Sequence, residues 1–343
     1  MWLKRLSIFA VLLACGVVAL GAYTRLQDAG LGCPDWPGCY GHLVVPQSND
    51  AISSANAAYP ERPLESHKAW PEMIHRYFAS TLGLVIFAIL ILCIRARKHD
   101  PGVPLKLPSI LAALVVFQGL LGMWTVTLGL FPTIVMAHLL GGFTTLCLLF
   151  LLAIRLHKAV PLPANENHTE HKTNVMLGFG IGGIAILALQ IALGGWTAAN
   201  YAATVCSDLP ICQSGWQQHV NLTDAFQFWG HGVDDYEFAT HLGADAKITI
   251  HVAHRIGAII TTLYLGSLFV WLMAGSGHIA AATRKATGIA LLLLMVQVGL
   301  GISNVVLELP LLVAVAHNGV AALLMMALIF LNLSLYRAGG TTG

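Results

Sequence analysis

Eight apolar stretches, each roughly 20 residues long, restrict this sequence to very few folds. A stretch of that length crosses the ~30 Å hydrocarbon core of a bilayer as an α-helix, and backbone groups in lipid must bond internally. Of the 343 residues, 57% are hydrophobic and only 10% are charged, whereas about 25% are charged in a soluble domain. We therefore predict an all-α, polytopic membrane protein. The predicted spans are 7–23, 73–94, 108–129, 133–154, 174–196, 248–272, 286–306 and 311–335.

The positive charges predict the side of the membrane on which each connection lies. Basic residues near helix ends stay on the cytoplasmic side, and twelve of the 18 fall on one side of the predicted spans. Both termini are thus predicted to be cytoplasmic, and the long segments 24–70 and 197–247 to face outward from a plasma membrane. The net charge of +2 gives no indication of a nucleic-acid partner. The twelve residues are Lys4, Arg5, Arg95, Arg97, Lys98, Lys106, Arg155, Lys158, Lys172, Arg284, Lys285 and Arg337.

The chain contains an internal duplication of a four-helix unit. The segment "GAYTRLQDAGLGCPDWPGC" (21–39) aligns with "GGWTAANYAATVCSDLPIC" (194–212), with equal spacing from the threonine to both cysteines. The offset between the copies is 173 residues before the long outer segments and 179 after them, so the extra residues fall in a loop. Four helices per unit give both units the same orientation, a parallel repeat. We predict units over 1–156 and 173–343, joined by a polar linker over 157–172.

Four of the seven cysteines lie in the outer segments, in two pairs with identical spacing. Cys33 and Cys39 are six residues apart, as are Cys206 and Cys212. The space outside a plasma membrane is oxidising, and the prolines between the cysteines favour a tight turn, so we predict two disulfides. Each disulfide can be a structural staple or a redox-active pair that exchanges electrons with a partner. The sequence leaves both roles open.

Four histidines occupy equivalent positions near the outer ends of predicted spans. His75 and His138 are 63 residues apart, and so are His254 and His317. Ionisable residues at membrane depth are rare and expensive, so they indicate function. Two facing histidines per four-helix unit suit a haem iron ligated from both sides, whereas zinc normally takes three or four protein ligands. We predict one haem site in each unit, with these histidines as the iron ligands.

Charged residues accompany the first histidine of each unit. Arg76 and Arg255 follow that histidine directly, and we expect each guanidinium to meet a haem propionate or to reach interfacial water. Glu72 lies three residues before the histidine, on the same helix face, whereas His251 takes this position in the second unit. His251 is either a spare ligand or a surface residue at the helix start, and we predict the latter. Only Glu72 offers a carboxylate that can move protons or stabilise a developing cation. The chemistry is therefore assigned to the N-terminal unit, and electron transfer to the C-terminal unit.

Together these fragments resemble the haem A synthase family. The resemblance rests on "EMIHR", "MAHLLGG", "HVAHR" and "VAHNG" around the four histidines, and on the loop "TRLQDAGLGCPDWPGC". It covers essentially the whole chain. The resemblance implies oxidation of the C8 methyl group of haem O, by successive hydroxylation, to the formyl group of haem A, the haem of terminal oxidases.

The resemblance also assigns the two histidine pairs to different haems. It implies that His75 and His138 hold haem O, the substrate, beside Glu72 as the catalytic carboxylate. It implies that His254 and His317 hold haem b as a cofactor. The implied partners are haem O synthase, oxidase assembly factors, an unidentified electron acceptor and a second copy of the chain, in the inner membrane of a bacterium.

Other functions fit parts of the same pattern. A di-haem b membrane cytochrome that exchanges electrons with quinone needs the four histidines but not Glu72. A membrane thiol oxidoreductase would use the loop cysteines and leave the histidines incidental. A transporter with parallel repeats usually has broken helices at its site, and the sequence shows no sign of them. The outer segment 213–247 has no interpretable pattern, and its His219, His231 and His241 are predicted to lie at the surface.

Overall fold

The computed structural model describes residues 2–159, 170–229, 242–274 and 281–339. Eight helices within these ranges are long and apolar enough to cross a membrane, which confirms the predicted all-α, polytopic fold. Each predicted span overlaps one of them. They are α1 (Trp2–Leu26), α3 (Ser66–Arg97), α4 (Lys106–Thr127), α5 (Pro132–His157), α6 (Glu170–Ala199), α8 (Ala244–Ala274), α9 (Ala281–Val306) and α10 (Leu311–Gly339). Two short helices, α2 (Asn49–Ala58) and α7 (Leu222–Ala225), lie in the long connections.

Several spanning helices continue past their apolar stretches into the connections. The helix α5 ends at His157 and α6 begins at Glu170, so both ends of the predicted linker 157–172 are helical. The linker residues 160–169 lie outside the described part of the chain. A helix that continues beyond the hydrocarbon core keeps its backbone groups bonded within the same segment. Apolar length alone therefore underestimates the length of these helices.

The spanning helices pack as two groups of four. Helices α1, α3, α4 and α5 contact one another around a first ring, and α6, α8, α9 and α10 form a second ring. The rings meet where α1 packs on α10 and where α5 packs on α6. Leu82, Ile86 and Leu149 are buried in the core of the first ring, and Leu268 and Leu328 in that of the second. That the two rings are copies of one unit stays a prediction.

The first long connection folds into a compact cap over the first ring. The structure joins Cys33 to Cys39 in a disulfide with Cα atoms 4.8 Å apart, the predicted pairing. Both cysteines are fully buried against Met73 of α3 and the ring of Tyr40. The Tyr40 hydroxyl donates a hydrogen bond to the carbonyl of Arg62 at 2.9 Å, which ties the two ends of the connection together.

The second long connection reaches across to the first ring. The Thr133 hydroxyl, in the first turn of α5, donates a hydrogen bond to the carbonyl of Phe228 at 2.8 Å. The ring of Trp229 lies 6.3 Å from that of Phe131, measured between centroids. A segment of the C-terminal half therefore covers the N-terminal end of α5, and the sequence had given no role to it.

Of the three histidines in the segment 213–247, the described part of the chain includes His219. His219 is exposed, as predicted, and its Nδ1 lies 2.8 Å from a carboxylate oxygen of Asp245. His231 and His241 lie outside the described residues. The Asp245 partner is itself half exposed, so this pair is a surface contact of small energetic weight.

Gly32 sets the close approach between the first cap and α3. A Cβ atom added there would lie 2.5 Å from the backbone carbonyl carbon of Lys68, so alanine must displace one of the two segments. We expect Gly32→Ala to lower the midpoint of thermal unfolding of the detergent-solubilised protein by several degrees, since overpacking costs roughly 1–3 kcal/mol. The control is Gly16→Ala on α1, where a Cβ meets nothing within 4 Å. A Gly32→Ala midpoint equal to that of the control would contradict this packing.

Candidate functional site

Two histidines from different helices face each other in the first ring. The ring centroids of His75 on α3 and His138 on α5 are 6.4 Å apart, with ring planes at 86°. Both Nδ1 atoms are buried and lack a hydrogen-bond partner among the described residues. Two imidazoles on opposite sides of one metal place their centroids about 6 Å apart, because each ligating nitrogen lies about 2 Å from the metal. The observed separation fits a site with two histidine ligands.

Glycines on the neighbouring helices leave room for these imidazoles. A Cβ atom added at Gly21 of α1 would lie 3.0 Å from Cε1 of His75. A Cβ atom added at Gly122 of α4 would lie 3.4 Å from Cε1 of His138. All four helices of the first ring thus contribute to the position of the histidine pair, two with an imidazole and two with a glycine.

The second ring holds its two histidines in the same manner. A Cβ atom added at Gly194 of α6 would lie 3.0 Å from Cε1 of His254, and one added at Gly301 of α9 would lie 3.2 Å from Cε1 of His317. Both histidines line one cavity of about 520 Å³. Pockets for small molecules and cofactors measure about 300–1,000 Å³, so the cavity suits a single bound group between the two imidazoles.

Glu72 is buried beneath the first disulfide loop. One of its carboxylate oxygens accepts a hydrogen bond from the backbone N–H of Cys33 at 2.9 Å, and the other accepts one from the Arg76 guanidinium. The side chain of Glu72 is only 6% exposed and that of Arg76 only 12%. Removal of one partner from a buried ion pair leaves an uncompensated charge, at a cost of about 3–5 kcal/mol. The loop and the arginine therefore fix the carboxylate in one position.

Arg76 connects this carboxylate to the disulfide loop. Its guanidinium donates hydrogen bonds to the carbonyl oxygens of Asp35 at 3.0 Å, Pro37 at 3.3 Å and Gly38 at 2.5 Å. The proposed contact between Arg76 and a haem propionate stays a prediction. In this structure the guanidinium holds Glu72, four residues earlier on the same helix, and the disulfide loop. The spacing of residues along one helix could not reveal the contact with the loop.

Arg255 occupies the corresponding place in the second ring. It donates hydrogen bonds to the carbonyl oxygens of Cys206 at 2.5 Å, Asp208 at 2.5 Å and Ile211 at 2.9 Å, all in the second disulfide loop. Its Nε also donates to Nε2 of His251 at 3.2 Å. The prediction that His251 lies at the surface is wrong, because this residue is only 5% exposed and is held under the loop by that hydrogen bond.

The second disulfide loop is closed as the sequence predicted. The structure joins Cys206 to Cys212, with Cα atoms 4.7 Å apart. Each loop therefore lies over its ring and is bound by one arginine of the helix below it. The two helices below the loops differ in the residue four positions before that arginine, which is Glu72 in the first ring and His251 in the second. His251 accepts a hydrogen bond from a cationic donor, which requires its neutral form.

Glutamines contact the histidines of the second ring. The Gln190 amide on α6 lies 3.0 Å from Nδ1 of His254, and the Gln297 amide on α9 lies 3.2 Å from Nε2 of His317. No motif in the sequence singled out Gln190. The repeat alignment contained the missing signal, because the residue equivalent to Gln190 in the first unit is Val17.

Comparison with known proteins identifies the family of this chain. Residues 4–329 match the sequence profile of the COX15-CtaA family, described as cytochrome oxidase assembly protein. The chain belongs to the COX15-CtaA family. The curated relatives include a heme A synthase of Shewanella oneidensis, 44% identical over 341 residues that cover 99% of this chain and 98% of the relative.

More distant relatives carry the same name. Heme A synthases of Mesorhizobium japonicum and Caulobacter sp. are each 27% identical to this COX15-CtaA protein. Both matches cover 93% of this chain, with 86% of the first relative and 92% of the second. The resemblance to haem A synthases that the histidine motifs indicated is confirmed.

The histidine pairs of this COX15-CtaA protein fit haem better than a metal ion held by protein alone. Within the described ranges, no group of three or more His, Cys, Asp or Glu side chains could hold a metal ion. Each pair supplies two ligands, the number that a haem iron takes from protein when its porphyrin supplies the rest. The buried Nδ1 atoms and the facing glycines are the features on which this fit rests.

Gly194 offers a test of His254 as a ligand. The methyl group in Gly194→Ala would crowd the His254 ring, so we expect the purified protein to retain roughly tenfold less haem in the second ring. The measurement is the molar ratio of haem to protein, from the pyridine haemochrome spectrum. The matched control is Gly178→Ala on the same helix, where a Cβ meets nothing within 4 Å. Equal haem content in the two variants would contradict the assignment of His254.

Proposed function

We propose that this chain is a haem A synthase, an oxidoreductase that converts the C8 methyl group of haem O to the formyl group of haem A by successive hydroxylation. Haem A then serves haem-copper terminal oxidases. The observation that carries the proposal is a buried carboxylate, Glu72, one helical turn before His75 of a facing histidine pair. The 44% identity to a heme A synthase over nearly the full chain supports the same activity.

The first ring is the substrate site in this proposal. His75 and His138 orient haem O between them, and Gly21 and Gly122 keep both imidazoles tightly packed. When bound, the haem supplies a redox-active iron together with the methyl group that is oxidised. Glu72 takes up or releases a proton at its carboxylate oxygens, or stabilises positive charge that develops on the substrate. The disulfide cap excludes bulk water, which strengthens these electrostatic effects.

The second ring holds haem b as a cofactor in this proposal. His254 and His317 are its ligands, and the cavity of about 520 Å³ between them supports this role. The neutral His251 replaces the carboxylate, so this ring lacks the group that the first ring uses for proton transfer. The second ring therefore relays electrons from the first to an acceptor that is a separate molecule.

The proposal includes two parallel repeats in the inner membrane of a bacterium, with both termini cytoplasmic and both disulfide loops outside. The contacts between the rings support the parallel repeat, because α1 on α10 and α6 on α5 are equivalent pairs. Arg25 also donates a hydrogen bond to the carbonyl of Ala198, its own counterpart at the offset of 173 residues, at 2.6 Å. Haem O synthase, oxidase assembly factors and a second copy of the chain remain proposed partners.

Glu72→Gln tests the catalytic assignment. We expect haem A formation to fall by about 10²–10⁴-fold, the usual contribution of a general acid or base, while both haem sites stay occupied. The measurement is extraction of the non-covalent haems from purified protein, followed by liquid chromatography and mass spectrometry. The parent should contain haem b with haem O, a hydroxylated haem O or haem A, and the variant haem b with haem O.

The matched control is Glu65→Gln, at the exposed start of the same helix, which should leave haem A formation unchanged. Haem b alone in the parent, at two per chain, would instead support an electron-transfer cytochrome. Full haem A formation by Glu72→Gln would contradict the role of the carboxylate. If a folded preparation contained no haem, the assignment of the four histidines as haem ligands would also be contradicted.

The first disulfide is expected to matter more for turnover than the second. The double variant Cys33→Ser, Cys39→Ser frees the loop that holds Glu72 in place, and small misplacements of a catalytic group cost up to about 100-fold in rate. The comparison variant is Cys206→Ser, Cys212→Ser, which frees a loop without a carboxylate. Haem A formation by the folded variants should fall more in the first. Complete loss in both would support redox-active cysteines in place of a positioning role.

A further inference from the structure

The cavity of the second ring is bounded differently on its different sides. Toward the first ring it ends against Phe143 of α5, which is 7% exposed. On the outer side it ends under the second disulfide loop, against the buried His251 and Arg255. Helices α6 and α10 of this ring pack on the first ring. The remaining side of the cavity, formed by α8 and α9, therefore faces away from the first ring.

On this far side, residues that line the cavity are also exposed. Ile259 and Leu263 of α8 are 43% and 66% exposed, and Ile302 of α9 is 47% exposed. A side chain that lines a cavity and also reaches the molecular surface leaves no second layer between the two. The cavity is therefore bounded here by a wall that is one side chain thick. We call these three residues the lipid-facing wall.

The lipid-facing wall lies at the depth of the hydrocarbon core. Ile259 and Leu263 follow His254 by five and nine residues, so they lie about 7.5 and 13.5 Å deeper along α8, at ~1.5 Å per residue. Both belong to a helix that is long and apolar enough to cross a membrane, and so does Ile302. Exposed apolar side chains at this depth contact lipid. The wall therefore separates the cavity from the bilayer.

Little in the lipid-facing wall resists its opening. Its three side chains are aliphatic, and the hydroxyl of the neighbouring Thr262 donates to the carbonyl of Ala258, within α8, at 2.7 Å. Exposed side chains change rotamer within picoseconds to nanoseconds. Passage of a ligand through the wall therefore requires only that these side chains move.

The outer side of the cavity is held much more firmly. Arg255 donates hydrogen bonds to three carbonyl oxygens of the second disulfide loop, and the bridge from Cys206 to Cys212 closes that loop. A ligand that entered from the outer side would have to displace the loop and break these hydrogen bonds. The route through the lipid-facing wall breaks none of them.

We propose that haem enters and leaves the second ring sideways, from the bilayer, through the wall formed by Ile259, Leu263 and Ile302. The inference rests on the proposed function, in which His254 and His317 hold haem b. A porphyrin is a large and mostly apolar plane that dissolves in lipid, and an aliphatic wall lets it pass without desolvating a polar group of the protein. The cofactor is thus loaded from the membrane phase.

The test measures the exchange of haem b in full-length protein reconstituted into lipid vesicles. Release is followed by transfer of haem b to a scavenging apoprotein, and uptake by its return from haem-loaded vesicles to the depleted protein. Chromatography distinguishes haem b from haem O and haem A. In Ile302→Trp we expect both rates to fall by about tenfold, because the indole fills the wall and must be displaced at a cost like that of overpacking. In Ile302→Ala both rates should rise.

Two further variants separate the possible routes. The matched control is Leu292→Trp, at an exposed residue of α9 outside the cavity lining, which should leave both rates at the parent values. Leu209→Trp tests the outer route, because Leu209 of the second disulfide loop lines the cavity and is 47% exposed. It should also leave both rates unchanged. Slower exchange in Leu209→Trp, with parental exchange in both Ile302 variants, would overturn the inference.

The direction of the changes distinguishes a route from a packing role. If Ile302 only packed against the bound haem, its variants would change release and uptake in opposite directions, and that result would overturn the inference. Parental exchange in both Ile302 variants, with haem A still formed, would overturn the inference and leave the proposed function intact. Exchange of haem b that depends on Ile302 as expected, in a protein that forms no haem A, would support the inference and contradict the proposed function. A parent without haem b would contradict both.

Discussion

Close contact between an imidazole and a helix glycine fixes each histidine in this protein. Four such contacts place two histidines in each ring, and every helix of a ring supplies either the imidazole or the glycine. Because a protein interior tolerates few voids and little overlap, the rotamer of each histidine is set before any ligand arrives. The caps, the arginines and the cavity are arranged around ring positions that the helix packing has already determined.

The two rings differ at a few positions around the histidine pairs, and the proposed difference in their chemistry rests on these positions. Glu72 in one ring and His251 in the other contact the arginine four positions later, so the side chain that meets the arginine is a carboxyl group in one ring and an imidazole in the other. Gln190 of the second ring aligns with Val17 of the first. Duplication followed by changes at such positions can yield one reactive site and one electron-transfer site without a change of fold.

Much of this architecture could be predicted from the sequence. The spans follow from apolar length. The histidine pairs and cysteine pairs follow from their matched spacing in the two units, because such spacing is visible in the sequence itself. The loop partners of Arg76 and Arg255 could not be predicted in this way. They are backbone carbonyls, which every residue type supplies equally, so that no side-chain pattern marks them.

The errors have a similar physical origin. His251 lies near the start of a predicted span, a position expected to reach the surface, but it is buried in the structure. Gln190 lies within an apolar stretch as a single polar residue, and its contact with His254 on another helix appears only in the folded protein. The surroundings of both residues are set by tertiary contacts with other segments, and the sequence of a single helix does not reveal such contacts.

The hydrogen bond from Thr133 to the carbonyl of Phe228 has a consequence for how the two halves can be separated. Phe228 and Trp229 of the C-terminal half contact residues at the start of α5, so the N-terminal ring is not a self-contained module. A chimera that combined halves from two relatives would place a foreign segment over α5. The natural unit of exchange is therefore a half together with the stretch of the other half that covers it.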